Sequence, residues 1–349
     1  MMHLKPQLEK YFAPKKVLSI EYLSKGFIGE VFLIQLQDQK GKKERVVIKS
    51  LLGDDYSYPL PHDQWHNFAS SYYAAKNFEQ HAKIKDIIGF DKNGFHSALP
   101  ADQYFQVIEY KEGIPYAKDL ERIRKEKTYN DGDEQKVKII AQAIAALHKK
   151  PVKIPAEKRR AAYLRATRDL IGHSELAFAL FDTYEKHDHW LKKEYETLFI
   201  HAFRLREKLK HHYERLRYVH GDYWYPNMIF HNNELILLDA SRFPFGDPAT
   251  DVWSGAWSTY FLSAILDNGM YNGPMNELGK LFMHEYLKKT GDEKISEFMP
   301  LYFSAILPII IRPGVYNAPE ETKRKVFKTC LDALKKGHLN WKNLNTHLE

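Results

Sequence analysis

The sequence predicts an α+β fold in two lobes, a small strand-rich N-terminal lobe over residues 1–110 and a larger helical C-terminal lobe over 111–349. Three observations carry this. Short alternating stretches separated by turn-forming residues fill the first third of the chain. Alanine, leucine, lysine and glutamate at helical spacing dominate most of the rest. Two brief apolar runs, RYVHG and ELILLDA, interrupt the helical part.

In chain order, the region from about Val17 to Ser50 reads as β structure. EVFLIQLQ is one strand, DQKGKK a turn, and ERVVIKSL the returning strand of a hairpin. Asp63 is a good N-cap for a helix in which Trp65, Phe68, Tyr72 and Ala75 recur on one face. IIGFDKNGFHSAL and QYFQVIEY are further strands, with Asn93-Gly94 as the turn. The first lobe is therefore expected to hold one helix. KVKIIAQAIAALHKK has helical periodicity, and LHKKP ends that helix with Lys149 and Lys150 at its negative pole and Pro151 as the stop. Residues 154–217 and those after Asp251 are expected to be helical.

The 349 residues, 44% hydrophobic and 14% aromatic, suffice for a substantial core. The net charge of +7 is spread without a long basic tract, so no nucleic-acid partner is implied. Cys330 is the only cysteine, which excludes an intramolecular disulfide and a cysteine-held zinc or iron–sulfur site and fits a reducing compartment. FSAILPIII, Phe303 to Ile311, is too short to cross a bilayer, and MMHLKPQLEKYF lacks the apolar core of a secretory signal. A cytoplasmic protein with no membrane partner is expected; oligomeric state leaves no mark in the sequence. The 17 histidines do not form H-E-x-x-H and read as scattered surface residues.

The chemistry concentrates in VHGDYWYPNMIF, residues 219–230, and LLDASRFPFGDPATD, residues 237–251. Read as a hairpin, RYVHG and ELILLDA bring the loop carrying Asp222 and Asn227 beside Asp239. Two acids and an amide then converge, a set that suits Mg²⁺, with Asn227 and Asp239 as hard oxygen ligands and Asp222 left to orient a nucleophile. Taken singly, an Asp and an Asn at a turn are as well explained by hydrogen bonds to their own backbone.

H-G-D-x-x-x-x-N, a hydrophobic strand ending in Asp, and then GDPATD resemble the aminoglycoside phosphotransferase and choline kinase-like family, distant relatives of the protein kinases. The resemblance implies a two-lobed protein-kinase-like fold. It also implies that Asp222 is the catalytic base, that Asn227 and Asp239 hold Mg²⁺, and that Asp251 braces the catalytic loop; read by itself, Asp251 is a helix N-cap. In such a fold the N-terminal lobe takes the nucleotide, ATP or alternatively GTP. SKGFIGEVF would bring Gly26 and Gly29 near its phosphates, although two glycines three apart also make an ordinary hairpin turn. Lys49 in VVIKS would meet the α and β phosphates, as V-A-I-K does in kinases. QVIEYKEG resembles the interlobe hinge, where backbone groups of Glu109 to Lys111 would hold a purine; otherwise it is an edge strand entering a loop. The pattern departs at the helix after Lys49, where the only Glu is Glu79, late in that helix. Either Glu79 pairs with Lys49 or the ion pair is absent.

The function implied is ATP-dependent phosphorylation of a hydroxyl on a small molecule such as a sugar, an amino alcohol or an aminoglycoside. One alternative is a kinase-like nucleotide-binding protein that transfers no phosphate. Another is a protein kinase, against which stands the short interval of eleven residues between Asp239 and Asp251. Tyr223, Trp224 and Tyr225 are either substrate wall or the floor beneath the loop. Glu175, Asp182, Glu185 and Asp188 could meet an amine substrate or form a solvated helix face.

Overall fold

Alternation in the first third of the chain becomes one six-stranded antiparallel sheet. In the computed structural model, which describes residues 4–26, 29–51, 58–97, 99–172, 177–182, 191–240, 243–266, 269–311 and 318–349, contacts divide the chain into Met1–Glu112 and Gly113–Glu349. The first unit contains α1 (Lys5–Phe12), β1 (Lys16–Lys25), β2 (Gly29–Gln37), β3 (Lys43–Leu51), α2 (Pro61–Ala75), β4 (Ile84–Asp91), β5 (Gly94–His96) and β6 (Gln103–Glu109). Its strand order is β1-β2-β3-β6-β4-β5.

The register sorts side chains onto two faces. Phe32, Ile34, Val46, Ile48, Phe105, Val107 and Ile88 pack with Leu8 and Phe95 into a core on one face. On the other, Lys49 lies opposite Val31 of β2 and Gln106 of β6, in line with Ile87 of β4. The same face carries Leu51 and Tyr104, which pack against Phe68 of α2. Gly94, at φ 97°, opens β5 after the Asn93 turn, a conformation that favours glycine.

Three expectations need correction. The first unit has two helices, because α1, with proline in its first turn and Leu8 buried, precedes the sheet. α2 starts at Pro61, whose fixed φ suits the first helical turn, so Asp63 is its third residue, and its carboxylate accepts the Leu60 amide at 3.3 Å. α2 ends at Ala75, which leaves Glu79 exposed in the following turn and outside the helix.

The second unit contains β7 (Ile114–Pro115), α3 (Tyr116–Glu126), α4 (Asp131–Lys149), α5 (Ala156–Gly172), α6 (Ala177–Asp182), α7 (Leu191–Leu209), β8 (Arg217–Tyr218), β9 (Met228–His231), β10 (Glu234–Leu237), β11 (Phe245–Gly246), α8 (Ala249–Leu266), α9 (Gly273–Thr290), α10 (Ile295–Ile311) and α11 (Glu320–Lys336). Around α8, Trp253 and Trp257 stack on Phe303 of α10 at 4.3 and 4.7 Å between ring centres, a dense aromatic core. Among the described residues no helix is long and apolar enough to cross a membrane.

RYVHG and ELILLDA are not partners. β8 pairs with β11, while β10 pairs with β9, the short MIFH strand that directly follows Asn227. The β9–β10 turn is Asn232-Asn233, both with positive φ, as a tight two-residue hairpin turn requires. The α+β, protein-kinase-like fold expected from the sequence is the fold of the chain, as the structural relatives described below bear out.

Candidate active site

The loop between β8 and β9 is held from beneath. Asp251, in the first turn of α8 and fully buried, accepts the His220 amide at 2.7 Å and the Gly221 amide at 2.9 Å. Its side chain is thus committed to the loop and does not cap its own helix. Two adjacent N–H groups can point at one carboxylate because Gly221 adopts φ 83°, a conformation open to glycine and costly for a residue with a Cβ.

Asp251 is itself oriented. His148, near the end of α4, places Nε2 3.2 Å from Asp251 Oδ2 and Nδ1 2.9 Å from the Tyr286 hydroxyl. A carboxylate only accepts, so Nε2 donates to Asp251, and the bond between Nδ1 and Tyr286 holds the ring from its other side. Sequence reasoning treated His148 as part of a helix terminus; its pairing with a residue 103 positions away leaves no local signal.

Within the loop, the Asp222 amide donates to His220 Nδ1 at 3.3 Å. Burial pushes the His220 pKa down against the opposing pull of the Asp251, Asp222 and Asp239 carboxylates, which favours a neutral imidazole that supports the loop. Asn227 Nδ2 donates to the Asp222 carbonyl at 2.9 Å and to Asp222 Oδ2 at 2.8 Å. The first holds the Asp222 backbone and the second its carboxylate, and both use only the nitrogen of the Asn227 amide, so its oxygen stays available. The Leu238 amide donates to the Asn227 carbonyl at 2.9 Å, which brings the end of β10 and hence Asp239 next to Asn227. Asp239, two residues past the end of β10, adopts φ 53°, a left-handed conformation that turns the chain out of the strand.

The structure therefore brings Asp222, Asn227 and Asp239 together. Their donor set fits a divalent cation that binds hard oxygens and keeps most positions for phosphate and water. It is not an all-protein cage, since no three His, Cys, Asp or Glu side chains cluster suitably among the described residues. Of the aromatic triplet, Tyr223 is the floor: it is fully buried, and its hydroxyl donates to the Ile140 carbonyl at 2.7 Å. Trp224 and Tyr225 are half-buried and pack edge to face, ring centres 5.3 Å apart.

A second layer locks the segment leading into α8. Arg215 donates to Asp247 through Nε at 2.7 Å and Nη2 at 3.1 Å, and its Nη1 and Nη2 reach Asp292 at 2.7 and 2.9 Å. The Tyr163 hydroxyl adds a bond to Asp247 at 2.9 Å. With the Ala249 amide also donating to Asp247 at 2.9 Å, these bonds hold GDPAT at the start of α8.

In the first unit, Lys49 is 8% exposed on an internal strand of the sheet. Its neighbour Gln106 is 2% exposed, and its Nε2 has no hydrogen-bond partner among the described residues. Gly26, just after β1, donates its amide to the carbonyl of Gly29, the first residue of β2, at 2.8 Å, and residues 27 and 28 between them lie outside the described residues. A side chain at Gly29 would collide with the Ser50 carbonyl of β3, so close strand packing already explains that glycine. β6, which holds Glu109, is an internal strand and not an edge. The Glu109 amide is taken by the Lys83 carbonyl at 2.8 Å, leaving its carbonyl and the backbone of Lys111 at the strand end. The Lys111 ammonium pairs with the Glu109 carboxylate at 3.0 Å. Glu175, Glu185 and Asp188 lie outside the described residues, and Asp182 is exposed at the end of α6.

Residues 23–271 match the profile of the phosphotransferase enzyme family, APH. No curated protein matches the sequence. Among solved structures, a thermostable mutant of the aminoglycoside phosphotransferase APH(4)-Ia is similar at 14% identity and a TM-score of 0.56, over 95% of this chain and 99% of that one. Amicoumacin kinase hAmiN, solved with AMP-PNP, Ca²⁺ and its antibiotic, is similar at 13% identity and a TM-score of 0.51, over 93% and 91% of the two chains.

Proposed function

Because the chain belongs to the phosphotransferase enzyme family, we propose that it transfers the γ-phosphoryl group of ATP, or of GTP, to a hydroxyl of a small molecule. The observation that carries this reading is the bond from Asn227 Nδ2 to Asp222 Oδ2, which holds one carboxylate oxygen in place and leaves the Asn227 amide oxygen to another partner.

In this mechanism the Asp222 carboxylate accepts a hydrogen bond from the acceptor hydroxyl and takes its proton as the new O–P bond forms. The bond from the γ-phosphorus to the β–γ bridging oxygen breaks, and the nucleoside diphosphate leaves with that oxygen. Asn227 and Asp239 would hold Mg²⁺, which when bound supplies positive charge against the phosphate oxygens. Lys49 adds a compact positive charge for the α and β phosphates, Gly26 and Gly29 offer backbone close to them, and the strand end at Glu109 and Lys111 offers backbone groups to the purine. His220 stays neutral and supports the loop without exchanging a proton.

The test is Mg²⁺-dependent transfer to a panel of sugars, amino alcohols and aminoglycosides by the native chain and by Asp222→Ala. Transfer lost in the variant, with nucleotide binding retained, is the expected result. Equal rates in the two proteins would remove Asp222 as the base. Saturable binding of MgATP by the native chain with no transfer to any compound would favour a non-catalytic nucleotide-binding protein.

A further inference from the structure

Three of the large apolar side chains that the second unit exposes belong to α6 and α7. Phe178 of α6 and Ile200 and Phe203 of α7 are 53, 44 and 57% exposed, and Phe178 packs edge to face on the half-buried Phe199 with ring centres 5.4 Å apart. Exposed apolar residues are ordinary when scattered singly, whereas several on one surface mark a contact site. The other side of α7 is already used: Tyr195, Leu198, Ala202, Leu205 and Leu209 are buried. At 3.6 residues per turn this puts Ile200 at the middle of the solvent-facing side.

The charges around Ile200 are antisymmetric. Glu196 and Arg204 stand four residues to either side of it, and Lys193 and Glu207 seven to either side, so each charge has its opposite at the mirror position. These spacings of three and four keep all four residues on the side of Ile200. Lys193, Glu196 and Arg204 are exposed, and none of them makes a salt bridge among the described residues. Glu207 is half-buried and pairs with Arg206 and Lys210.

We propose that this face of α6 and α7 is the interface of a homodimer, in which α7 packs antiparallel on α7 of a second copy about a two-fold axis at Ile200. Ile200 then meets Ile200 of the second copy, Glu196 meets Arg204, and Lys193 meets Glu207, every charge pair being made twice by symmetry. Phe178, Phe199 and Phe203 cover one flank of the seam. A parallel arrangement would set each charge against its like, so the pattern selects the antiparallel one. The charge pattern also selects a second copy over an unrelated partner, since the stripe is complementary to itself. One helix and its neighbour make an interface at the small end of specific contacts, which places the dimer in the micromolar range. No residue of the seam belongs to the proposed catalytic or nucleotide-binding groups, so the dimer stands or falls apart from the phosphotransfer reading.

Sedimentation equilibrium of the full chain over a concentration series reads the association. The native chain is expected to pass from a species of 41.0 kDa to one of twice that mass. Glu196→Arg and Arg204→Glu each turn two attractive pairs into two repulsive ones and should raise the dissociation constant about tenfold or more. The double variant, which exchanges the two charges, should restore the native value. Ile200→Glu sets two carboxylates against each other at the axis and should leave the chain monomeric. All these positions are exposed, so urea unfolding of each variant should match that of the native chain. A native chain that stays at 41.0 kDa throughout would overturn the proposal and leave the face to another partner. A dimer whose dissociation constant ignores both charge reversals would overturn it as well and place the contact on a different surface.

Discussion

The carboxylate of Asp251 takes the backbone amides of both His220 and Gly221, at 2.7 and 2.9 Å, and so ties the start of α8 to the residue preceding Asp222. The joint is buried and includes His148 at 3.2 Å. Asp251→Asn keeps one acceptor but turns an amide NH₂ towards a buried N–H. One unsatisfied buried donor costs ~1–3 kcal/mol, so the variant should lose about 2 kcal/mol in urea unfolding. The loop then shifts relative to the acceptor, and misplacement by an ångström can cost ~100-fold in rate, so kcat should fall far more than the acceptor KM rises. A variant with native kcat would show that Asp251 serves folding alone.

Asn227 connects the proposed base and the proposed cation site through one amide group. In Asn227→Ala both bonds to Asp222 are lost together with the amide oxygen proposed to meet the cation. We expect kcat to fall ~100-fold or more and the Mg²⁺ concentration for half-maximal rate to rise, with nucleotide affinity in the absence of metal nearly unchanged. A titration in which the Mg²⁺ midpoint does not move would detach Asn227 from the cation.

Lys49 is a buried cation on the α2 face of the sheet, beside a Gln106 whose Nε2 is unsatisfied. Lys49→Met keeps the aliphatic bulk and removes the charge. The nucleotide KM should rise about tenfold or more and kcat should fall, as expected where a positive charge meets phosphate oxygens. Gln106→Leu, in contrast, should raise the unfolding free energy by ~1 kcal/mol, because it removes a buried donor that nothing accepts from. Unchanged nucleotide kinetics in Lys49→Met would refute its phosphate role.

The fold was legible where the signal is periodic and local. Alternation in EVFLIQLQ and ERVVIKSL marks a half-buried sheet, and the face assignment of Lys49 follows from a period of two once β3 is known to be internal. What the sequence hid was mostly pairing. MIFH is too short to announce itself as a strand, yet it takes β10 from the partner that hydrophobicity alone suggests. The order of Asp222, Asn227 and Asp239 was readable as a motif. The His148–Asp251 contact and the Arg215 bridge to Asp247 and Asp292 were not, since each depends on which helices meet. Gly29 has a packing reason that the sequence did not show, the Ser50 carbonyl of β3 behind it.

A last prediction concerns acid sensitivity at the C-terminal end. His347 is 1% exposed; its Nδ1 lies 2.7 Å from Asp332 Oδ2, and its Nε2 accepts the Asn340 amide at 2.9 Å. Nε2 can accept only while unprotonated. Burial lowers the His347 pKa below the ordinary value of 6.5, an effect that the Asp332 carboxylate opposes and that Lys336 and His338 reinforce. The unfolded chain therefore binds more protons than the folded one between the two pKa values. The contribution of this residue to stability is present above pH 6.5 and is lost as the pH falls through the depressed folded pKa. His347→Gln retains polar atoms without titrating, so the variant should start less stable at pH 8 and show a shallower decline in stability between pH 6.5 and 5 than the native chain. Parallel declines in the two proteins, followed by urea unfolding at each pH, would place the acid sensitivity elsewhere.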